Sequence, residues 1–240
     1  MLWRCSIVAL MGMMTSHAAA SDQVTILFHV RPPYASYSPD RDVDGLLAAP
    51  VSAALAKAGI EADWVEMPPA RQTEEIKRAK HSICGLGWFK RPEREAFASF
   101  TDPIYQDRPA VVVARRGDAR FVDGISLEDS FKDSARTLIV KTGYSYGAAI
   151  DDWIKTLQPR NETSSGANEQ LLGMIDQSRV DYIIMAPEEA EDLLGSRPEL
   201  GDSLRAVLLS DAPKGEARHL MCSHATPATL IERINEALAR

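Results

Sequence analysis

Apolar positions along the chain fall into short blocks that alternate between a two-residue and a helical period. Val24–Val30 (VTILFHV) is a compact apolar run of the kind a buried strand carries. Gly45–Ala58 sets Leu46, Leu47, Val51 and Leu55 near helical spacing; Pro50 shifts the expected start towards itself and Gly59 ends the helix. Glu61–Met67 reads as a strand with Ala62, Trp64 and Glu66 on one face. Pro68-Pro69 breaks the chain, and Ala70–Lys80 reads as a polar helix around Ile76. Ser82–Trp88, Ala110–Ala114 (AVVVA) and Thr137–Lys141 (TLIVK) read as strands. The last runs into Gly143-Tyr144-Ser145-Tyr146-Gly147 and a helix through Leu157. A helix from Ala167 to about Gln177, a strand over Val180–Met185 and a helix from Pro187 to Leu194 follow. Strands at Leu204–Leu209 and His219–Cys222 precede a terminal helix, Pro227–Ala239. This alternation predicts an α/β fold of mostly parallel sheets flanked by helices. There is no fixed-period repeat and no linker rich in Gly and Ser, so two lobes, if present, are joined by strands or short turns.

The 240 residues are 45% hydrophobic and 25% charged, which excludes a mainly disordered or collagen-like chain. That length holds one large domain or two lobes of about 100 to 120 residues. Lys and Arg total 27 against 34 Asp and Glu, and a net charge of −7 argues against nucleic acid as the main partner. It leaves room for a small anion held by one or two arginines. Residues 1–20 read as a secretory signal: Arg4, an apolar stretch from Ile7 to Met14, then small residues that fit cleavage near Ala20. A periplasmic location follows as the expectation, with no other segment long and apolar enough to cross a bilayer. Two cysteines remain beyond the signal, Cys84 and Cys222, and an even number in an exported chain suggests one disulfide. A rival zinc reading would need these with His81, His219 and His224, but His-x-x-Cys on a strand points its residues to opposite faces. Asp40–Gly45 resembles half a calcium loop, with Val51 where the closing Glu belongs, and reads as a solvated loop. No cofactor or metal is expected.

The segment Cys84–Asp107 (CGLGWFKRPEREAFASFTDPIYQD) is the most specific stretch. Arg91-Pro92-Glu93-Arg94, then Phe100-Thr101 and Asp102-Pro103-Ile104-Tyr105, resemble the corresponding motifs of the periplasmic solute-binding proteins of family 3. Pro32-Pro33-Tyr34, Gly143-Tyr144-Ser145, Val180-Asp181-Tyr182 and the closing Ile231–Leu238 agree in order, so the likeness spans the whole mature chain. The resemblance implies a type II, two-lobed periplasmic-binding-protein-like fold with two hinge strands and a ligand clamped in the cleft. Lobe one would hold residues 21–113 plus 218–240, and lobe two residues 114–217. Two departures stand out. Arg91 replaces the family's Thr, and the family's ammonium-binding Asp falls on Ala186, for which Glu188 or Glu189 would be substitutes.

The candidate ligand-binding residues follow. The resemblance gives Arg94 the role of holding a carboxylate, which a guanidinium grips through two parallel hydrogen bonds. Arg91 and Lys90 would add charge for a more acidic solute. Tyr34 and Trp88 would wall the cleft with flat aromatic faces. Gly143, Tyr144 and Ser145 precede a helix, whose start is a natural anion site, and Arg71 opens another helix. Glu188 is the candidate acid. Each has a plain structural alternative: surface pairing for the arginines, core packing for the rings, simple capping for Ser145. No catalytic residue is assigned. The leading expectation is a periplasmic receptor that closes its lobes on a small anionic or amino-acid-like solute. Its partner would be an inner-membrane ABC permease or a sensor, and the receptor itself would be a monomer. Rivals are a dehydratase-like enzyme on the same scaffold, using Glu66, Glu188 or Glu189, and an envelope protein without ligand.

Overall fold

A computed structural model describes residues 22–239; the expected signal at 1–20 lies outside the described residues. In chain order the first series of elements is β1 (Asp22–Phe28), β2 (Ser36–Tyr37), β3 (Val43–Asp44), α1 (Ala48–Lys57), β4 (Ile60–Glu66), α2 (Pro69–Arg78), β5 (Ile83–Phe89), α3 (Pro92–Glu95), β6 (Ala98–Phe100) and β7 (Tyr105–Gln106). The second is β8 (Val111–Arg115), α4 (Leu127–Lys132), β9 (Leu138–Lys141), α5 (Ala148–Leu157), β10 (Asn161–Ser164), α6 (Asn168–Asp176), β11 (Tyr182–Met185), α7 (Pro187–Ser196), α8 (Pro198–Ser203) and β12 (Leu204–Val207). The chain then returns through β13 (Ala217–Ser223) and ends in α9 (Ala228–Leu238).

Two separate sheets result. One has the order β4-β1-β5-β13-β6, with β7 also on β13; the other is β10-β9-β11-β8-β12. β1 runs parallel to β4 and β5, and β9 parallel to β10 and β11. The strands that enter each sheet from the other lobe run the opposite way: β8 against β11 and β12, and β13 against β5, β6 and β7. Each sheet is therefore mixed, parallel in its βαβ part and antiparallel where the crossing strand enters.

Period-two alternation divides the core cleanly. Val24, Ile26 and Phe28 of β1 pack with Val51 and Leu55 of α1 and Leu230 and Ile234 of α9. Leu27 points the other way, to Ile76 of α2 and Met221 of β13. In the second sheet Val111, Val113 and Ile183 meet Leu171, Leu172 and Ile175 of α6. Val112, Ala114 and Ile184 face Phe121, Leu127, Phe131 and Ile150. Each such side chain contributes roughly 1.5–3 kcal/mol on burial.

A division at residues 113/114 would cut through β8, yet all of β8 lies in the second sheet. The crossings lie at residues 107–110 and 208–216. They run side by side, with the Asp107 amide donating to the Glu216 carbonyl at 3.0 Å. A methyl group on Gly215 would stand 2.1 Å from the Asp107 carbonyl oxygen, so only glycine allows this approach. Arg218 bonds Asp107 through both carboxylate oxygens, at 2.6 and 2.7 Å, and ties the crossings to the first sheet.

Cys84 and Cys222 face each other in register across β5 and β13, Cα atoms 3.9 Å apart, and are disulfide-bonded. Both strands belong to the first sheet, so the bridge does not span the lobes, and neither sulfur is available to zinc. Asp181 accepts from Arg115 and Arg120 at 2.9 and 2.6 Å and from the Thr137 amide at 2.8 Å, which anchors β11 to β9. Helix α1 starts at Ala48, earlier than the proline suggests, because a first-turn proline lacks only an N–H that would go unpaired anyway.

Candidate functional site

The carboxyl ends of β1, β5, β9 and β11 face a common cleft, the usual ligand position for α/β sheets. β1 delivers His29 and Arg31, β5 delivers Trp88 and Phe89, β9 ends in Lys141, and β11 leads through Ala186 into α7 with Glu188 and Glu189.

Arg94, on the short α3, lines this cleft with His29, Trp88, Gly143, Tyr144 and Ser145. Its guanidinium lies 4.8 Å from the centre of the Trp88 ring and donates to the Phe89 carbonyl at 2.8 Å. Among the described residues no carboxylate pairs with it. Trp88 is fixed by a 3.1 Å bond from its indole N–H to Gln72 of α2, and Gln72 is itself buried and donates to the Met67 carbonyl at 2.7 Å. Gly85 leaves the space the indole occupies; a methyl there would stand 2.5 Å from the indole nitrogen.

Tyr144 stands at the middle of the cleft. Its hydroxyl meets His29 Nε2 at 2.9 Å, and Lys141 Nζ and the Arg31 guanidinium lie 4.3 and 5.2 Å from its ring centre. Burial and the charges of Arg31 and Lys141 push the His29 pKa down to about 3, so the imidazole is neutral. Lys141 donates to Asn168 Oδ1 at 2.9 Å, and burial lowers its pKa.

Several expected ligand residues are placed differently. Arg71 is exposed on α2, whose inward positions are Gln72 and Ile76, and Lys90 is exposed and pairs with Glu95 at 3.1 Å; neither lines the cleft. Arg91 is buried but engaged across the lobes, bonded to Ser145 Oγ at 3.3 Å and Glu216 at 3.2 Å. Tyr34 is 1% exposed and packs in the first core, with the Arg218 guanidinium 4.4 Å from its ring centre. Glu188 accepts from Tyr105 at 2.9 Å, Arg108 Nε at 2.9 Å and Tyr34 at 3.3 Å, which leaves it a clasp between lobes. The helix start after Gly143-Tyr144-Ser145 is also taken. Asp151 accepts from the Ser145 hydroxyl and the Tyr146 amide, and Glu216 accepts from the Ala148 amide at 2.9 Å. These internal carboxylates do what an external anion would do at a helix N-terminus.

Sequence reasoning missed His29, Arg31, Lys141, Asn168 and Arg218. Only Arg31, directly before Pro32-Pro33-Tyr34, lay beside a motif already singled out.

A family model for bacterial extracellular solute-binding proteins, family 3, matches residues 24–240. A comparison with curated proteins returned no match. Among solved structures, an ancestral arginine-binding protein bound to arginine superposes with a TM-score of 0.71 at 18% identity, over 90% of each chain. A protein described in work on glutathione import in Gram-positive bacteria via GshT and the cystine ABC importer TcyBC of Streptococcus mutans gives 0.72 at 15% identity, over 91% of this chain and 88% of that one. An ancestral amino-acid-binding protein described as a precursor of cyclohexadienyl dehydratase gives 0.67 at 15% identity, over 90% and 88%. Those likenesses establish the two-lobed fold. With the family model covering 24–240, nearly all of the described chain, this protein belongs to the bacterial extracellular solute-binding proteins, family 3.

Proposed function

We propose that this protein is a periplasmic receptor for a small carboxylate-bearing solute, and that it hands the solute to an inner-membrane ABC permease. The observation that carries the reading is Arg94: a half-buried guanidinium in the cleft, stacked on Trp88, without an acid partner among the described residues. Such a group is costly to bury and recovers that cost when a carboxylate arrives in bidentate geometry. The solute lies between the Trp88–Arg94 wall of lobe one and the Gly143–Ser145 turn of lobe two. Closure around it removes water and strengthens the charge contact. The neighbours that bind arginine and take part in glutathione import lend support to small polar solutes and to a permease partner.

The enzyme reading has less behind it. A general acid needs a carboxyl whose pKa is raised. In Glu188 and Glu189 burial pushes the pKa up, but Arg108, Tyr105 and Arg31 outweigh it and hold both carboxyls below the usual range. Glu66 accepts from Tyr37 at 3.0 Å on the exposed side of β4.

The test is a thermal-shift screen of the purified mature protein against organic acids and amino acids, after stripping any co-purified solute by unfolding and refolding. A solute at 100 times its dissociation constant adds about 2.7 kcal/mol, a rise of a few degrees for this size. A shift that disappears in Arg94→Ala supports the reading. No shift with any carboxylate overturns it.

A further inference from the structure

The cleft contains acids, but the chain's own cations neutralise them. Glu189, in the first turn of α7 on the lobe-two wall, is 2% exposed. Arg31 from lobe one binds it through both oxygens, at 2.6 and 2.5 Å, and Asn168 donates to it at 2.9 Å. Ala186, one turn before Glu189 in the same helix start, lines the same cavity and brings no charge. Of the other acids on this lining, Asp107 is held by Arg218 and Glu216 by Arg91 and the Ala148 amide. Lys141, Lys214 and Arg94 are the cations of the cleft that have no carboxylate partner among the described residues.

We propose that Arg31 is a tethered cation that occupies Glu189 in place of a solute's ammonium group, and so sets the specificity of the cleft for carboxylates that lack an α-amino group. This rests on the carboxylate-receptor reading above. An ammonium entering the closed cleft meets Arg31 and Lys141 and finds no free acid. A deaminated carboxylate of the same skeleton meets only unpaired cations. Arg31 bridges the lobes as well, so the contact that fixes specificity forms when the cleft closes.

The test uses pairs of one carbon skeleton with and without the α-ammonium: propionate and alanine, succinate and aspartate, glutarate and glutamate. Each is titrated calorimetrically into the wild type, Arg31→Ala, Arg31→Lys and Arg31→Ala/Glu189→Gln. For the skeleton that binds, the wild type is expected to favour the deaminated member at least tenfold, and Arg31→Lys to keep that preference. Arg31→Ala bares Glu189 and should shift the preference at least tenfold towards the amino member. Should that variant fold poorly, the double variant, which leaves no unpaired charge at the Glu189 position, should bring the two members within a few-fold. A wild type that favours the amino member, or a preference unchanged in the variants that remove Arg31, overturns the inference alone, provided binding still needs Arg94. Absence of Arg94-dependent binding in every pair overturns the receptor reading and this inference with it.

Discussion

His29 is bonded to Tyr144, and burial first, then the charges of Arg31 and Lys141, keep it unprotonated. In the unfolded chain its pKa is near 6.5, whereas burial and Arg31 bring it to about 3 in the folded protein. Between those values the unfolded state binds the extra proton. Stability is therefore lost as pH falls from about 6.5 towards 3, by up to about 1.4 kcal/mol per pH unit. Denaturant unfolding of His29→Asn at pH 7 and 4.5 should show a smaller acid loss than the wild type, by about 1–3 kcal/mol. An equal loss in both would remove His29 as the cause. Gly85→Ala should displace the Trp88 indole, weaken solute binding about tenfold or more, and change the tryptophan emission; retained emission and affinity would show that the pocket absorbs the methyl. At this scale the sequence was only partly readable. Arg94, Trp88 and Gly143–Ser145 line one cavity. Arg91, Glu188 and Tyr34 do not serve as free ligand groups, because charge type and motif position do not show which partner a side chain meets across a cleft. Nor does local pattern mark Asn168 and Lys141, which gain meaning only when β9 and α6 meet.

Strands with apolar runs were legible because buried strands have few other ways to be written. β10 (NETS) was not, since an exposed edge strand carries no apolar signal, and the six-residue α4 and α8 are too short to show a helical period. The disulfide has its effect at the level of elements. It joins β5 and β13 across a sequence separation of 138. Loop-closure entropy puts its contribution at up to about 5 kcal/mol, and natural bridges more commonly measure about 2–5. Cys84→Ala/Cys222→Ala should lower stability by that amount while solute affinity stays within a few-fold, because both cysteines lie in the first core away from the cleft. A loss of affinity larger than tenfold would place the bridge in the binding site's support. The Arg218–Asp107 pair, 5% and 7% exposed, holds the crossings to the first sheet. Arg218→Ala leaves Asp107 buried without its cation and should cost about 3–5 kcal/mol in chemical denaturation. A loss below about 1 kcal/mol would mean that water replaces the arginine.

Across the whole molecule, the two sheets are linked by two adjacent crossings and by side chains that meet over the cleft. Arg31 with Glu189, Tyr34 and Tyr105 with Glu188, Arg91 with Ser145, and His29 with Tyr144 all join one lobe to the other. The two-lobed architecture was legible from motifs spread over the full chain, while strand direction within each sheet was not, because the returning strand β13 has no local mark of its antiparallel partners. In the proposed receptor a carboxylate is captured at Arg94 between the lobes. Calorimetric titration of the best carboxylate from the screen into the wild type and Arg94→Ala tests it most directly. Removing a bidentate charge contact in a desolvated cleft should cost about 2–4 kcal/mol, roughly 30- to 1000-fold in affinity. Equal affinity of the two proteins for that carboxylate would contradict the account.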